Sequence, residues 1–167
     1  MPIPPILTLS RTLDFFELPA DCSLFRLCDK HMTAELRRGG HHHPNGLLSP
    51  RDLSRARAIF AHRDVFVVGM IVVRYHAAAK VAKFYRLWVE PAARKKGIGE
   101  ALMKFAQRRV VELGGRTIEF KTGLDLASAV ALYKKLGYRE KPCPEAGPLG
   151  LSFRKSLRRR RPRMDGR

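Results

Sequence analysis

Two periods alternate along this chain. Over residues 58–89, branched and aromatic residues crowd into short runs, at 58–62, 65–75 and 81–89. That composition suits half-buried strands. Arg63-Asp64 joins the first two runs, and a turn near 77–80 leads into the third. Gly69, inside the second run, marks a bulge or a close backbone approach. Pro91 stops the third run, because proline has no N–H to give a ladder. The period then changes. Ile98, Leu102, Phe105 and Leu113, with Ala101 and Ala106, fall on one side of a helix. Residues 116–122 return to alternation, Ile118 and Phe120 on one face and Glu119 and Lys121 on the other. Residues 126–136 read as a helix capped by Asp125 and closed by Gly137. Residues 138–140 and 149–157 read as two last strands joined by a loop bearing proline and glycine.

Upstream the pattern is weaker. Residues 1–17 carry three prolines and then an apolar stretch, read as an irregular entry and a first strand. Residues 23–36 read as a helix with Leu24, Leu27, His31 and Leu36 toward one side. Residues 37–45 form a loop, given two glycines, a proline and the following Asn45-Gly46. Ser49-Pro50 opens one helical turn.

Composition narrows the class. With 167 residues, 45% of them apolar, the chain fits one globular domain with a sizeable core. No apolar run reaches bilayer length, and the first residues lack a basic segment and cleavage site, so a cytoplasmic protein with no membrane partner is expected. Cys22, Cys28 and Cys143 are an odd number at unremarkable spacing, which argues for reduced thiols. The formal charge of +18 favours anionic partners. Residues 154–167 hold eight basic residues against the one acid Asp165. The run Arg158-Arg159-Arg160-Arg161 should be disordered alone, either touching nucleic acid or another polyanion or merely keeping the chain soluble. Cys28-x-x-His31 and His41-His42-His43 invite a metal reading, but three consecutive histidines cannot all face one ion. A solvated loop is the preferred reading, and no metal is expected.

Between the third strand and the long helix lies Arg94-Lys95-Lys96-Gly97-Ile98-Gly99. A glycine-bearing turn that opens a helix leaves first-turn N–H groups unpaired and pointed outward, so it can hold an anion. A plain basic loop before an amphipathic helix fits the local pattern equally well. The spacing is not that of a P-loop. Nor is it a dinucleotide fingerprint, because Leu102 stands where the third glycine belongs.

The stretch Val89-Glu90-Pro91-Ala92-Ala93-Arg94-Lys95-Lys96-Gly97-Ile98-Gly99 does resemble the cofactor loop of the GNAT acyltransferase superfamily, Arg/Gln-x-x-Gly-x-Gly/Ala after a strand ending Val-x-Pro. Ala129-Val130-Ala131-Leu132-Tyr133-Lys134-Lys135-Leu136-Gly137-Tyr138 is similar to a second block of that family. The resemblance covers residues 48–157 and leaves 1–47 poorly matched. It implies one domain over 1–157 with a basic tail at 158–167. The implied fold is α/β (α+β), a mixed, mostly antiparallel sheet splayed between its fourth and fifth strands and flanked by helices.

The resemblance also implies an activity, an N-acetyltransferase moving the acetyl group of acetyl-CoA to a primary amine by direct attack in a ternary complex. Leu87 and Val89 would pair with the pantetheine amides, and Arg94, Lys95, Lys96, Gly97, Ile98, Gly99 and Glu100 would hold the pyrophosphate. Tyr133 matches a tyrosine that protonates the leaving thiolate, although helix packing beside Leu132 and Leu136 would also explain it. The acceptor would be a small-molecule or peptide amine, with a homodimer left open. Two positions depart from the family. Lys83 and Lys121 stand where relatives often carry acids, so the general base is unassigned, with Glu119 and Glu90 nearby. Such lysines would favour an acceptor bearing a carboxylate or phosphate. One rival reading is a non-catalytic polyanion-binding protein that keeps the fold. Another is an acetyltransferase acting on a nucleic-acid-associated protein, docked through the tail.

Overall fold

The computed structural model describes residues 12–41, 48–123, 125–146 and 150–157. Seven strands form one sheet: β1 (Asp14–Pro19), β2 (Arg57–Arg63), β3 (Phe66–His76), β4 (Val81–Val89), β5 (Thr117–Gly123), β6 (Arg139–Pro142) and β7 (Gly150–Ser156). Their order across the sheet is β1-β2-β3-β4-β5-β7-β6. Every neighbouring pair is antiparallel except β4 and β5, which run parallel. Among the described residues four α-helices complete the fold: α1 (Ser23–Arg38), α2 (Pro50–Leu53), α3 (Ile98–Glu112) and α4 (Ala127–Lys135).

The sheet separates two apolar clusters. On one face α3 contributes Ile98, Leu102, Met103, Ala106 and Val110, and α4 contributes Val130 and Tyr133, against Ile71, Phe84, Ile118, Phe120 and Phe153. On the other face α1 contributes Phe25, Cys28 and Met32 against Ala58, Phe60, Met70, Val72 and Trp88. Fully burying a large apolar side chain is worth about 1.5–3 kcal/mol, so the buried stripe of α3 anchors that helix to β3. Gly69 shows how closely. A Cβ there would meet the Trp88 carbonyl at 2.8 Å and Leu102 Cδ1 at 2.9 Å. The register also slips beside it, between Ala61 and His62, so Gly69 is both a close approach and the neighbour of a bulge.

Local chemistry differs from the periodic reading in three places. Leu113, placed with the buried side of the long helix, is 52% exposed, while Met103 and Val110 fill that side. The buried face of α1 is turned to Phe25, Cys28 and Met32, leaving Leu27 and His31 outside. Asp125 does not cap α4. Leu126 holds the cap position without a side-chain bond, and the Asp125 carboxylate meets His41 Nδ1 at 2.7 Å instead. His42, His43 and the Arg158-Arg161 run lie outside the described residues. Among those described, no helix is long and apolar enough to cross a membrane, and no three His, Cys, Asp or Glu side chains gather as a metal site would need.

Candidate functional site

The parallel pairing of β4 with β5 is short. It joins Val81 to Thr117, Ala82 to Ile118 and Lys83 to Glu119, and among the described residues it goes no further. Beyond that point each strand keeps only its outer neighbour, β4 pairing with β3 as far as Val89 and β5 with β7 as far as Gly123. The strands therefore part, and backbone groups on their inner edges lose a ladder partner. Such groups are strong donors and acceptors that demand another partner.

A bulge in β4 shapes the opening. Met70 faces Trp88 and Val72 faces Tyr85, so Arg86 and Leu87 together oppose the single residue Ile71. Arg86 sits in the left-handed region at φ 56°. The extra residue swaps the faces of the strand. Phe84 lies in the α3-side cluster, and Leu87 and Val89 pack against that same cluster three and five residues later, while Trp88 joins the α1 side. The Arg86 side chain is buried and its Nε lies 2.9 Å from Asp29 Oδ1 on α1. Burial pushes the Asp29 carboxyl up and the Arg86 guanidinium down, each against the pull of its partner.

At the open end the chain turns into α3. Gly97 caps the helix at φ 76°, a conformation that costs glycine nothing and other residues strain, and no atom lies within 4 Å of where its Cβ would be. The first amide bonded within this helix is that of Ala101, to the Gly97 carbonyl at 3.0 Å. The amides of Ile98, Gly99 and Glu100 precede it and have no acceptor inside the helix. A cleft of about 470 Å³ opens there. Leu87, Val89, Arg94, Lys95, Gly97, Ile98, Gly99 and Glu100 line it. Of the residues expected to hold the pyrophosphate, Lys96 alone is not in the lining, and its Nζ reaches back to the Ala92 carbonyl at 3.3 Å.

Two details change the reading of this loop. The Arg94 guanidinium is held by Glu35 at 2.5 Å, and Arg94 Nε donates to the Val89 carbonyl at 3.0 Å, so that carbonyl already has a donor. Glu100 accepts from Lys104 at 2.7 Å and Lys135 at 2.6 Å, and these hydrogen bonds hold its carboxyl down at about 2. The pattern of the loop did not reveal the far walls of the cleft. These are Met32, Glu35 and Leu36 of α1 and Ser128, Ala129 and Leu132 of α4. Only the amphipathic character of the two helices pointed toward such positions.

Deeper in, the cleft meets a narrow chamber of about 70 Å³, sharing Met32, Leu87, Leu126 and Ala129 with it. Tyr133 lines this chamber. Its ring stands edge-on to Phe120 at 4.5 Å, and burial pushes the phenol up, so it stays protonated through neutral pH. On the α1 side the chamber shares Phe84, Tyr85, Phe120 and Lys121 with a third cavity of about 470 Å³. That cavity takes in Lys83, Glu119, Lys141, Cys143, Ser152 and Arg154. Glu90 lines none of the three. The three cavities adjoin through shared walls: a helix mouth with unpaired amides, a small chamber with a phenol on its wall, and a basic cavity beyond.

Known proteins resemble this chain in sequence and in fold. The sequence profile described as Acetyltransferase (GNAT) domain matches residues 54–140. The mycothiol acetyltransferase of Streptomyces avermitilis is 30% identical over 107 residues, 59% of this chain and 35% of that protein, so the match spans about a third of the relative's length. The IAA acetyltransferase of Azospirillum brasilense is 29% identical over 112 residues, 65% of this chain and 73% of that protein. Among solved structures, the PaiA N-acetyltransferase of Thermoplasma acidophilum, in complex with coenzyme A, has the same fold. It superposes with a TM-score of 0.67 at 15% identity, over 87% of this chain and 99% of that one. Nothing in these relatives supports a non-catalytic polyanion binder. With the profile matched over half the chain, on a sheet that parts above a helix mouth, this chain belongs to the GNAT acetyltransferase family.

Proposed function

We propose that the chain is an N-acetyltransferase that uses acetyl-CoA as co-substrate and a primary amine as acceptor, the two meeting in one ternary complex. The observation that carries this reading is the parting of β4 and β5 beyond Lys83 and Glu119, which opens a passage from the start of α3 to a second cavity. The donor-side residues suit a diphosphate with a slender amide-bearing arm. Three helix-start amides lack internal acceptors, Gly97 leaves open space, and the inner edge of β4 offers unpaired backbone at the depth of Leu87.

Acetyl-CoA, when bound, supplies an activated acetyl thioester. The protein's part is placement and proton handling. Amides on the inner edge of β4 polarise the carbonyl of the reacting group, an effect that preorganised donors exert strongly in a water-poor site. The acceptor amine approaches from the basic cavity and bonds to the polarised acetyl carbon as the carbon–sulfur bond breaks, and the proton its nitrogen sheds passes to water and restores the Tyr133 phenol. Tyr133 donates its hydroxyl proton to the leaving sulfur, a role typically worth about 10²–10⁴-fold. Lys83 and Lys121 at the cavity mouth favour the neutral form of the incoming amine, since a nearby like charge disfavours protonation. Such help lessens the need for a strong base. Glu119 is the carboxylate lining the cavity beside Lys83, although its Oε1 faces Arg154 Nε at 3.5 Å.

The test is thermal. Acetyl-CoA at 100 times its Kd should stabilise the fold by about 2.7 kcal/mol through mass action. Gly99→Glu should abolish that shift, because its side chain would project among Leu132 and Val89, already 3.4 and 3.7 Å from a Cβ there. A shift of full size in the variant removes the helix mouth from the cofactor site.

A further inference from the structure

The cavity on the acceptor side takes its charge from strand register. Opposed residues of paired strands share a face of the sheet. Lys83 stands beside Glu119, Glu119 beside Arg154, and Arg154 beside Arg139, so one row crosses four strands. The next row is Lys121, Ser152 and Lys141. Together the two rows hold five cations and one carboxylate. The carboxylates of the cavity are also already engaged. Glu119 faces Arg154, Glu145 meets Lys121 at 3.2 Å, and Asp52 is paired with Arg74. Lys83 and Lys141 line the cavity and meet no carboxylate among the described residues. The surplus there is positive, with Ser152 in register between Lys121 and Lys141 and its hydroxyl donating to the Lys141 carbonyl at 3.5 Å.

Resting on the acetyltransferase reading, we propose that the acceptor amine carries a carboxylate or phosphate group, which Lys83 and Lys141 bind while its amine reaches toward Phe84 and Phe120 at the constriction. A dicationic amine would face like charge there, and an amine with no acidic group would leave the two lysines unanswered. An anionic acceptor gains charge-assisted hydrogen bonds, the stronger class of such contacts. It also neutralises lysines that otherwise repel one another across the cavity.

The experiment compares matched acceptors on the full chain with thiol release as readout. One arm sets β-alanine against β-alaninamide, the other phosphoethanolamine against ethanolamine, so the two arms separate a carboxylate from a phosphate. The same compounds are added to the coenzyme A-loaded protein and the melting temperature followed, which scores binding even where turnover is low. The anionic member of at least one pair should show kcat/KM about tenfold higher, or be the member that raises the melting temperature. Lys83→Gln with Lys141→Gln should erase that preference and keep the thermal shift given by acetyl-CoA, since neither lysine lines the cleft at the helix mouth. Equal behaviour within both pairs, or a preference that survives the double variant, overturns the proposal while an acetyl-CoA thermal shift leaves the family activity standing. Loss of the acetyl-CoA shift itself overturns both.

Discussion

Tyr133 and Tyr138 belong to one buried ring cluster, both edge-on to Phe120, at 4.5 and 5.0 Å. Burial pushes both phenols up. Their surroundings differ. Tyr133 lines the constriction, whereas the Tyr138 hydroxyl is buried without a hydrogen-bond partner among the described residues, and Lys155 lies over its ring at 5.3 Å. Tyr133→Phe should therefore lower kcat by about 10²-fold or more while barely moving KM for acetyl-CoA. Tyr138→Phe should keep kcat and hold or raise stability by up to about 1 kcal/mol, since an unpaired buried hydroxyl is a cost. Steady-state kinetics and urea melts on the two variants separate the roles, and equal losses of kcat would undo the assignment. Arg86 poses a different problem, because it combines a left-handed backbone with a buried charge whose partner is Asp29. Asp29→Asn removes the carboxylate that faces this buried guanidinium, and breaking such a buried pair from one side typically costs about 3–5 kcal/mol. Adding Arg86→Met should recover much of the loss, because a buried pair replaced whole is often neutral. A urea midpoint that falls equally for single and double variants would show that the pair does not govern stability.

Helix α1 crosses the candidate site and is tied to it at three points: Asp29 to Arg86 of β4, Glu35 to Arg94 of the loop before α3, and His41 beyond its end to Asp125 before α4. None of these ties was readable from periodicity. The residues that make them are polar, and a hydrophobic pattern locates the face of a helix only to within a turn, as the exchange of Leu27 and His31 for Phe25 and Met32 shows. The bulge at Arg86 was equally hidden, because strand alternation carries no mark of one extra residue when both faces are apolar. The β4–α3 loop was legible for the opposite reason, since glycines and a proline fix backbone at set spacing. A second link, Glu100 in the first turn of α3 with Lys135 of α4 and Lys104, gives this region a pH dependence. Its carboxyl is held at about 2 against an ordinary value of 4.5. A depressed carboxyl contributes stability that is complete above 4.5 and is lost as pH falls toward 2. Glu100→Gln should flatten that part of a curve of melting temperature against pH, and salt should do the same to the parent, because these groups are exposed. An unchanged slope in the variant would mean that other carboxylates control the acid limb.

The net charge of +18 says nothing about fold, yet it bears on how a phosphate-bearing substrate arrives. Cations surround the passage at both ends, Arg94 and Lys95 at the helix mouth and Lys83, Lys121, Lys141 and Arg154 at the other cavity. A field of one sign draws oppositely charged ligands and raises their encounter rate, and salt weakens it. The screening length shrinks from about 10 Å at 0.1 M to about 3 Å at 1 M. For a steered ligand, kcat/KM measures capture and kcat measures events after capture. Raising sodium chloride from about 50 to 500 mM should therefore lower kcat/KM for acetyl-CoA several-fold and leave kcat nearly unchanged. Removing residues 158–167 should reduce the steepness of that dependence without altering kcat on a small amine, because the run adds charge to the field that draws the ligand in. A flat kcat/KM across that salt range would mean that the charge serves some purpose other than substrate capture. A fall in kcat on removing the tail would mean instead that the tail reaches the catalytic passage.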